Sequence, residues 1–197
     1  MTRPAKIRED ARQNRRQILY AAEAVFEHDG VDAPLSAIIA RAGISRATFF
    51  RHFPDRQELL AAILARTIVD LEQEIDQVRD PAHRLARIME VLAEGLGARP
   101  SLSSYWLGWN KDHPALSEAH EKVEGMFADA IGPAKEAGLC RPDLTSRDMV
   151  MFARMIGTAV RAASPEQRAG VAKRSAQLLL EGYAARHAAA SPGDDRN

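Results

Sequence analysis

A chain of 197 residues, 46% apolar, with 27 Lys/Arg against 27 Asp/Glu, is long enough for one sizeable core or two small ones sharing a helix. It holds no unbroken apolar run of the length a bilayer-spanning helix needs, no signal-peptide pattern follows its N-terminus, and its single cysteine, Cys140, excludes an internal disulfide framework. These features predict a cytoplasmic protein with no membrane partner.

The zero net charge hides an asymmetry. Residues 1–16 carry Arg3, Lys6, Arg8, Arg12, Arg15 and Arg16 against Glu9 and Asp10, a net of +4. Residues 1–53 are basic by +3 and residues 54–197 acidic by −3. A basic N-terminal quarter points to a polyanion partner, although a short cationic tail is also what a solvated chain end looks like.

Taken in chain order, the pattern is helical throughout. Ile18, Leu19, Ala22, Val25 and Phe26 form one stripe of an amphipathic helix that Gly30 stops. Asp32 and Pro34 open a second helix, with Leu35, Ile38 and Ile39 turned inward, and Gly43 ends it after about two turns. Ser45 caps a third, three residues from Thr48. Asp55 and Glu58 fit a capping box after Pro54, and a long helix runs from there to Asp80-Pro81. Five more helices are predicted beyond it. One is bounded by Gly97 and Pro100, and a shorter one runs from Ser101 to His113, before Pro114. The next carries Pro133 as a kink and ends at Gly138. Another follows Thr145, and the last opens on Ser164-Pro165-Glu166-Gln167 and runs to Arg186. The expected fold is all-α: a three-helix N-terminal helix-turn-helix domain followed by a C-terminal helical bundle, about nine helices in total. The predicted boundaries are 1–54 and 55–187, with residues 188–197 a disordered tail.

The stretch "AGISRATFFRHF", residues 42–53, carries the chemistry. Two short helices joined by a glycine turn make a helix-turn-helix. At 100° per residue Phe49 and Phe53 fall within about 40° of each other and can face the core. Ala47, Thr48, Phe50 and Arg51 point elsewhere, and Arg46 lies near the helix start. A helix entering a major groove needs short residues where its backbone comes closest, and Ala47 or Thr48 can touch a thymine methyl. Arg46 or Arg51 has the reach for a guanine edge. His52 and the N-terminal arm are placed to meet phosphates, which position without specifying. Spacing alone also permits a small helical cap with a solvated basic face.

"RRQILYAAEAVFEHDG", "LSAIIARAGIS" and "RATFFRHFPDRQELL" together resemble the DNA-binding domain of the TetR/AcrR family of bacterial transcriptional regulators. The resemblance spans about 45 residues with the helix stops in register. It implies an all-helical homodimer that binds a palindromic double-stranded DNA operator. The C-terminal helices would hold an effector pocket and the dimer interface. It adds Ser36, Ser45 and Arg56 to Arg46, Ala47, Thr48, Phe50, Arg51 and His52 as expected DNA-contacting residues. Three positions depart from the family pattern. Ile39 stands where a small alanine is usual. Phe50 replaces a tyrosine whose hydroxyl commonly bonds a phosphate, a loss of about 1 kcal/mol. Arg56 replaces a lysine.

The remaining two-thirds says less. Met89, Leu92, Tyr105, Trp106, Trp109, Met126, Phe127, Met151, Phe152 and Met155 are the candidate lining of a pocket for a hydrophobic or aromatic small molecule, with plain core packing as the alternative for each. Ala153, Ile156, Gly157, Val160 and Ala163, facing Ala176, Leu179, Leu180 and Tyr183, are the candidate dimer interface in the last two helices. His113 and His120 are separated by Pro114, so no metal is expected. No acid–base pair, nucleophile set or phosphate loop is present in the sequence, so neither a catalytic residue nor a cofactor is expected. The predicted function is a repressor released from its operator by such a molecule, or a DNA-binding regulator whose C-terminal part serves only dimerisation.

Overall fold

Ser45 starts a helix by accepting the Thr48 backbone N–H at 3.1 Å, and two residues earlier Gly43 ends one in the left-handed region at φ 65°. There the Gly43 N–H reaches the Ala40 carbonyl at 3.2 Å and the Ile44 N–H the Ile39 carbonyl at 3.4 Å. This closes the helix with a reversal that a side chain at residue 43 would oppose. A computed structural model describes residues 3–107 and 114–183. Among them are nine α-helices and no strand: α1 (Arg3–Asp29), α2 (Leu35–Ala42), α3 (Arg46–His52), α4 (Arg56–Asp76), α5 (Arg84–Ala98), α6 (Pro100–Leu107), α7 (Pro114–Glu136), α8 (Ser146–Ala162) and α9 (Arg168–Tyr183).

Several boundaries differ from the predicted ones, each for a local reason. The basic N-terminal segment is not a separate arm but the first turns of α1, which begins at Arg3. α4 ends at Asp76 rather than Asp80, because Asp80 accepts the Ala82 N–H at 3.0 Å and starts a 3-10 turn over Pro81–His83. α9 begins at Arg168, not Pro165. The Ser164 hydroxyl donates to the Glu166 carboxylate at 2.7 Å instead of capping, and the Ser164 carbonyl takes the Gln167 and Arg168 N–H groups at 2.9 and 3.2 Å. Pro133 lies inside α7 without ending it. α8 starts as predicted, with a reciprocal Thr145–Asp148 capping box.

Two apolar cores result. The first joins Ile18, Ala22 and Phe26 of α1 with Ile38, Phe49, Phe53 and the first half of α4, and takes in Leu102 and Trp106 of α6. The second gathers Leu71 and Ile75 from the far half of α4 with Ile88, Met89, Phe127, Met149, Ile156 and Val160. α4 therefore runs through both. Where α5 meets α9, a Cβ at Gly97 would stand 3.1 Å from the Ala172 Cβ and 3.4 Å from the Ala169 backbone. Glycine at that position is what lets the two helices close together.

The stripe read as a dimer face belongs to this second core. Ala153, Ile156, Gly157, Val160 and Ala176 are all buried within the protomer, and Ala163, Leu179 and Leu180 are half-buried. The Tyr183 side chain lies outside the described residues. An interior made of exchangeable aliphatic stripes uses the most regular stripe of a helix, so the regularity that suggested an interface marks the core instead.

Candidate nucleic-acid interface

α3 is short, and its two sides differ completely. Phe49 and Phe53 are 0% and 1% exposed, with ring centroids 6.3 Å apart. Ser45, Arg46, Ala47 and Arg51 are exposed. Thr48 is half-buried, with its hydroxyl 2.9 Å from that of Ser45, so the first turn is fixed through both backbone and side chain. Ser36 and Arg41 are exposed on α2.

Phe50 lies between the two sides. Its ring packs edge-on against Phe49 at 5.3 Å and 82°, and the Arg46 guanidinium sits 5.1 Å from the centre of the same ring. Arg46 and Phe50 are four residues apart, one turn, so the cation lies along the helix instead of extending from it. Among the described residues Arg51 makes no such contact, and its side chain is exposed at the other end of α3.

Arg15 completes the surface. Its guanidinium lies 4.5 Å from the centre of the Phe53 ring, which brings α1 beside the end of α3. The His52 imidazolium is disfavoured, chiefly by partial burial and then by the positive charges of Arg51 and Arg15. Sequence reasoning counted Arg15 among tail cations. The signal was its register: three and four residues before buried Ile18 and Leu19, it continues their stripe and meets the same neighbours.

Arg56 behaves differently from the phosphate contact expected of it. It is half-buried, donates to the Val31 carbonyl, and lies 5.7 Å from the Phe26 ring centre. The side chain ties the α1–α2 turn to the start of α4. Ile39 is half-buried and packs against the first core.

A model of the tetR family of bacterial regulatory proteins matches residues 18–63, and a model of the C-terminal domain of SbtR-like transcriptional regulators matches residues 80–185. The chain belongs to the TetR family. An HTH-type transcriptional regulator of Staphylococcus aureus is 28% identical over 116 residues, which is 58% of this chain and 57% of that protein's length. This chain therefore spans little more than half of that curated relative. The TetR transcriptional regulator SCO0520 of Streptomyces coelicolor is similar over 87% of this chain and 98% of its own, at 26% identity and a TM-score of 0.63. FadR of Bacillus subtilis, solved in complex with stearoyl-CoA, shares the fold at a TM-score of 0.64 and 16% identity, over 84% of this chain and 97% of its own.

In this TetR-family chain the described residues predicted to line an effector pocket divide between the two cores, Met126 packing against both. Met89 and Phe127 are fully buried in the second core, while Tyr105 and Trp106 pack against the first. Leu92 and Phe152 are half-buried against the second core. Met151 and Met155 are about half exposed, at 49% and 52%. Trp109 and His113 lie outside the described residues. His120 Nε2 is 2.6 Å from the Trp106 carbonyl oxygen, so that ring ties α7 to α6. Met126 borders a cleft, a space of about 310 Å³ between α4, the 3-10 turn, α5 and α7. Ile75, Ile88 and Ala130 contribute its apolar side, and Glu72, Asp76, Asp129 and Arg84 its polar side. Among the described residues no helix is long and apolar enough to cross a membrane.

Proposed function

We propose that this TetR-family protein is a sequence-specific DNA-binding transcriptional regulator, acting as a homodimer that presents α3 of each subunit to a palindromic operator. The observation that carries this reading is the division of α3. Phe49 and Phe53 are buried behind it, Ala47 and Arg51 are exposed in front, and Arg15 and His52 lie beside them. Short residues near the helix start allow close approach to base edges, and Arg51 has the length and fork to bond a guanine edge. Arg15, His52 and the exposed cations of α1 provide phosphate contacts that fix register without reading sequence. Two copies must hold their α3 helices about 34–36 Å apart to enter successive major grooves.

A dimer through α8 and α9 remains the favoured arrangement, on a different face from the stripe predicted. Met151, Met155 and Leu178 are each about half exposed on these helices, and exposed apolar side chains on adjacent helices suit a self-complementary contact. The bacterial cytoplasm is where such a regulator meets its DNA. The proposed division of labour gives residues 1–54 to DNA and the rest to dimerisation and regulation.

The proposed sign is repression relieved by a small molecule. The FadR neighbour was solved with a ligand, and the cleft by Met126 offers a mixed apolar and polar lining. A second reading has its own observation. Met89, Phe127, Met149 and Ile156 fill the bundle where an aromatic pocket was expected, which suits a C-terminal part devoted to dimerisation.

Selecting bound duplexes from a random pool with the purified protein tests the central reading. A recovered motif with two inverted half-sites is expected, and an unenriched pool would overturn it. Adding small-molecule libraries to the selected complex then separates the two regulatory readings by whether any compound releases the DNA.

A further inference from the structure

Among the described residues four arginines lie on aromatic rings, and they divide by what else they touch. Arg66, 4.8 Å from the Tyr20 ring centre, also bonds Glu23. Arg56, on Phe26, also donates to the Val31 carbonyl. Arg15, on Phe53, and Arg46, on Phe50, have no ion pair among the described residues. A carboxylate holds a guanidinium and cancels its charge, whereas a ring holds it and leaves the charge for an anion. Arg15 stands at the end of α3, while Arg46 runs along its side.

Which side follows from the helix itself. At 100° per residue Phe50 lies about 100° around α3 from buried Phe49, and Arg51 about 200°. Ala47 and Arg51 therefore form the front, Arg46 and Phe50 one flank, and Thr48 and His52 the other. The Phe50 ring is half-buried, edge-on to Phe49 at 5.3 Å and packed against the first core. The Arg46 guanidinium, 5.1 Å from the centre of that ring, is thus held beside the middle of α3 and not at the helix start. A major groove about 12 Å wide admits a helix that measures about 10–12 Å with its side chains. The front then meets base edges, and each flank meets a sugar-phosphate wall.

We propose that Arg46 is a phosphate contact on that flank and that Phe50 is its positioning residue, holding the guanidinium at the wall of the groove without neutralising it. The inference rests on the DNA-binding reading above and separates the two arginines of α3. Arg46 adds affinity on every sequence, and Arg51 discriminates between sequences. A long side chain already restricted by a ring also loses less freedom when it meets its phosphate.

The test uses the full chain with Arg46→Ala, Phe50→Leu, Phe50→Tyr and the double Arg46→Ala, Phe50→Leu substitution. Binding to a duplex selected by the wild type, and to versions altered at single bases, is measured by fluorescence anisotropy over a range of salt concentrations. For a dimer on two half-sites, Arg46→Ala should make the slope of log affinity against log salt shallower by about 1.8, at about 0.9 per phosphate. It should weaken binding to all the duplexes by the same factor. Phe50→Leu should weaken binding by about threefold or more when Arg46 is present, and hardly at all in the Arg46→Ala background. Phe50→Tyr, which keeps the ring face, should bind no more weakly than the wild type. A loss from Phe50→Leu that is equal in both backgrounds would overturn the positioning role. An unchanged salt slope in Arg46→Ala, or a loss confined to particular bases, would overturn the phosphate contact. Arg46 is exposed, so that measurement decides even where Phe50→Leu fails to fold. A wild type that selects no duplex would overturn the DNA-binding reading and this assignment together, whereas a selected duplex with an unchanged slope overturns the assignment alone.

Discussion

The helix-turn-helix and the bundle behind it use the same side chains to opposite ends. At α3 two phenylalanines, Phe49 and the C-capping Phe53, are withdrawn into a core so that the opposite side of one short helix is left to solvent, with Arg51 and Ala47 presented outward. In the bundle, Met89, Phe127 and Met149 fill space between helices and present nothing. A surface for a large, rigid, charged partner must stand out before the partner arrives. An interior that holds or transmits a conformation works by being full. Aromatic and thioether residues therefore mean bracing in the first region and packing in the second.

The largest effect should come from removing the brace. Phe49→Ala empties a fully buried site in the smaller unit, and a loss of about 3–5 kcal/mol is expected, read as a lowered denaturant midpoint. Operator binding should fall with it, because the exposed side of α3 depends on that anchor. If binding persisted at full affinity while stability dropped, the two sides of α3 would be independent, and the contrast between the regions would lose its basis.

The matching substitution in the bundle is Gly97→Val. A Cβ there meets the Ala172 Cβ at 3.1 Å and the Ala169 backbone at 3.4 Å, and the neighbouring backbone has little room to give. Overpacking of this kind costs about 1–3 kcal/mol, measured as a fall in unfolding temperature. A wild-type unfolding temperature in this variant would mean that α5 and α9 slide easily, and that the bundle is less rigid than its packing implies.

How much of this was legible beforehand follows the same division. The α3 site could be read because its information is local. Ser45 stands three residues before Thr48, Gly43 supplies a left-handed turn, and Phe49 and Phe53 are one turn apart. The bundle's helices were equally visible, but their functional faces were not. α8 carries two apolar stripes, Met149–Ala153–Ile156–Val160 buried and Met151–Met155 exposed, and sequence periodicity favours the more regular one without saying what lies against it. The same limit applied to Arg56 and Arg15. One was expected at the DNA and bonds Val31, while the other was counted in a tail and lies on Phe53. Both outcomes depend on contacts between elements, which no single helix records.

The exposed side of α3 can be divided by its two arginines. Arg51→Ala should reduce discrimination between the selected operator and a version altered at one base by about 1–3 kcal/mol, measured as the ratio of the two affinities. Arg46→Ala should change that ratio less, because its guanidinium lies against the Phe50 ring. An equal loss of affinity on all sequences for Arg51→Ala would make it a phosphate contact, with its effect visible as a shallower salt dependence.

The smallest effect is a proton. In the free protein His52 titrates below its ordinary 6.5, first because of partial burial and then because Arg51 and Arg15 repel the imidazolium. A phosphate beside it on DNA would raise that value, since an anion favours the charged form. Binding would then take up a proton. Affinity should rise as pH falls through the bound value and level off below the free one, with a slope of at most about tenfold per pH unit for one group. Lys and Arg contacts do not titrate in this range and should leave the profile flat. His52→Gln should therefore remove the slope while keeping most of the affinity at pH 8, where the wild-type ring is already neutral. A wild-type profile as flat as that of the variant would show that His52 lies away from the backbone, leaving Arg15 and Arg51 as the positive groups at the end of α3.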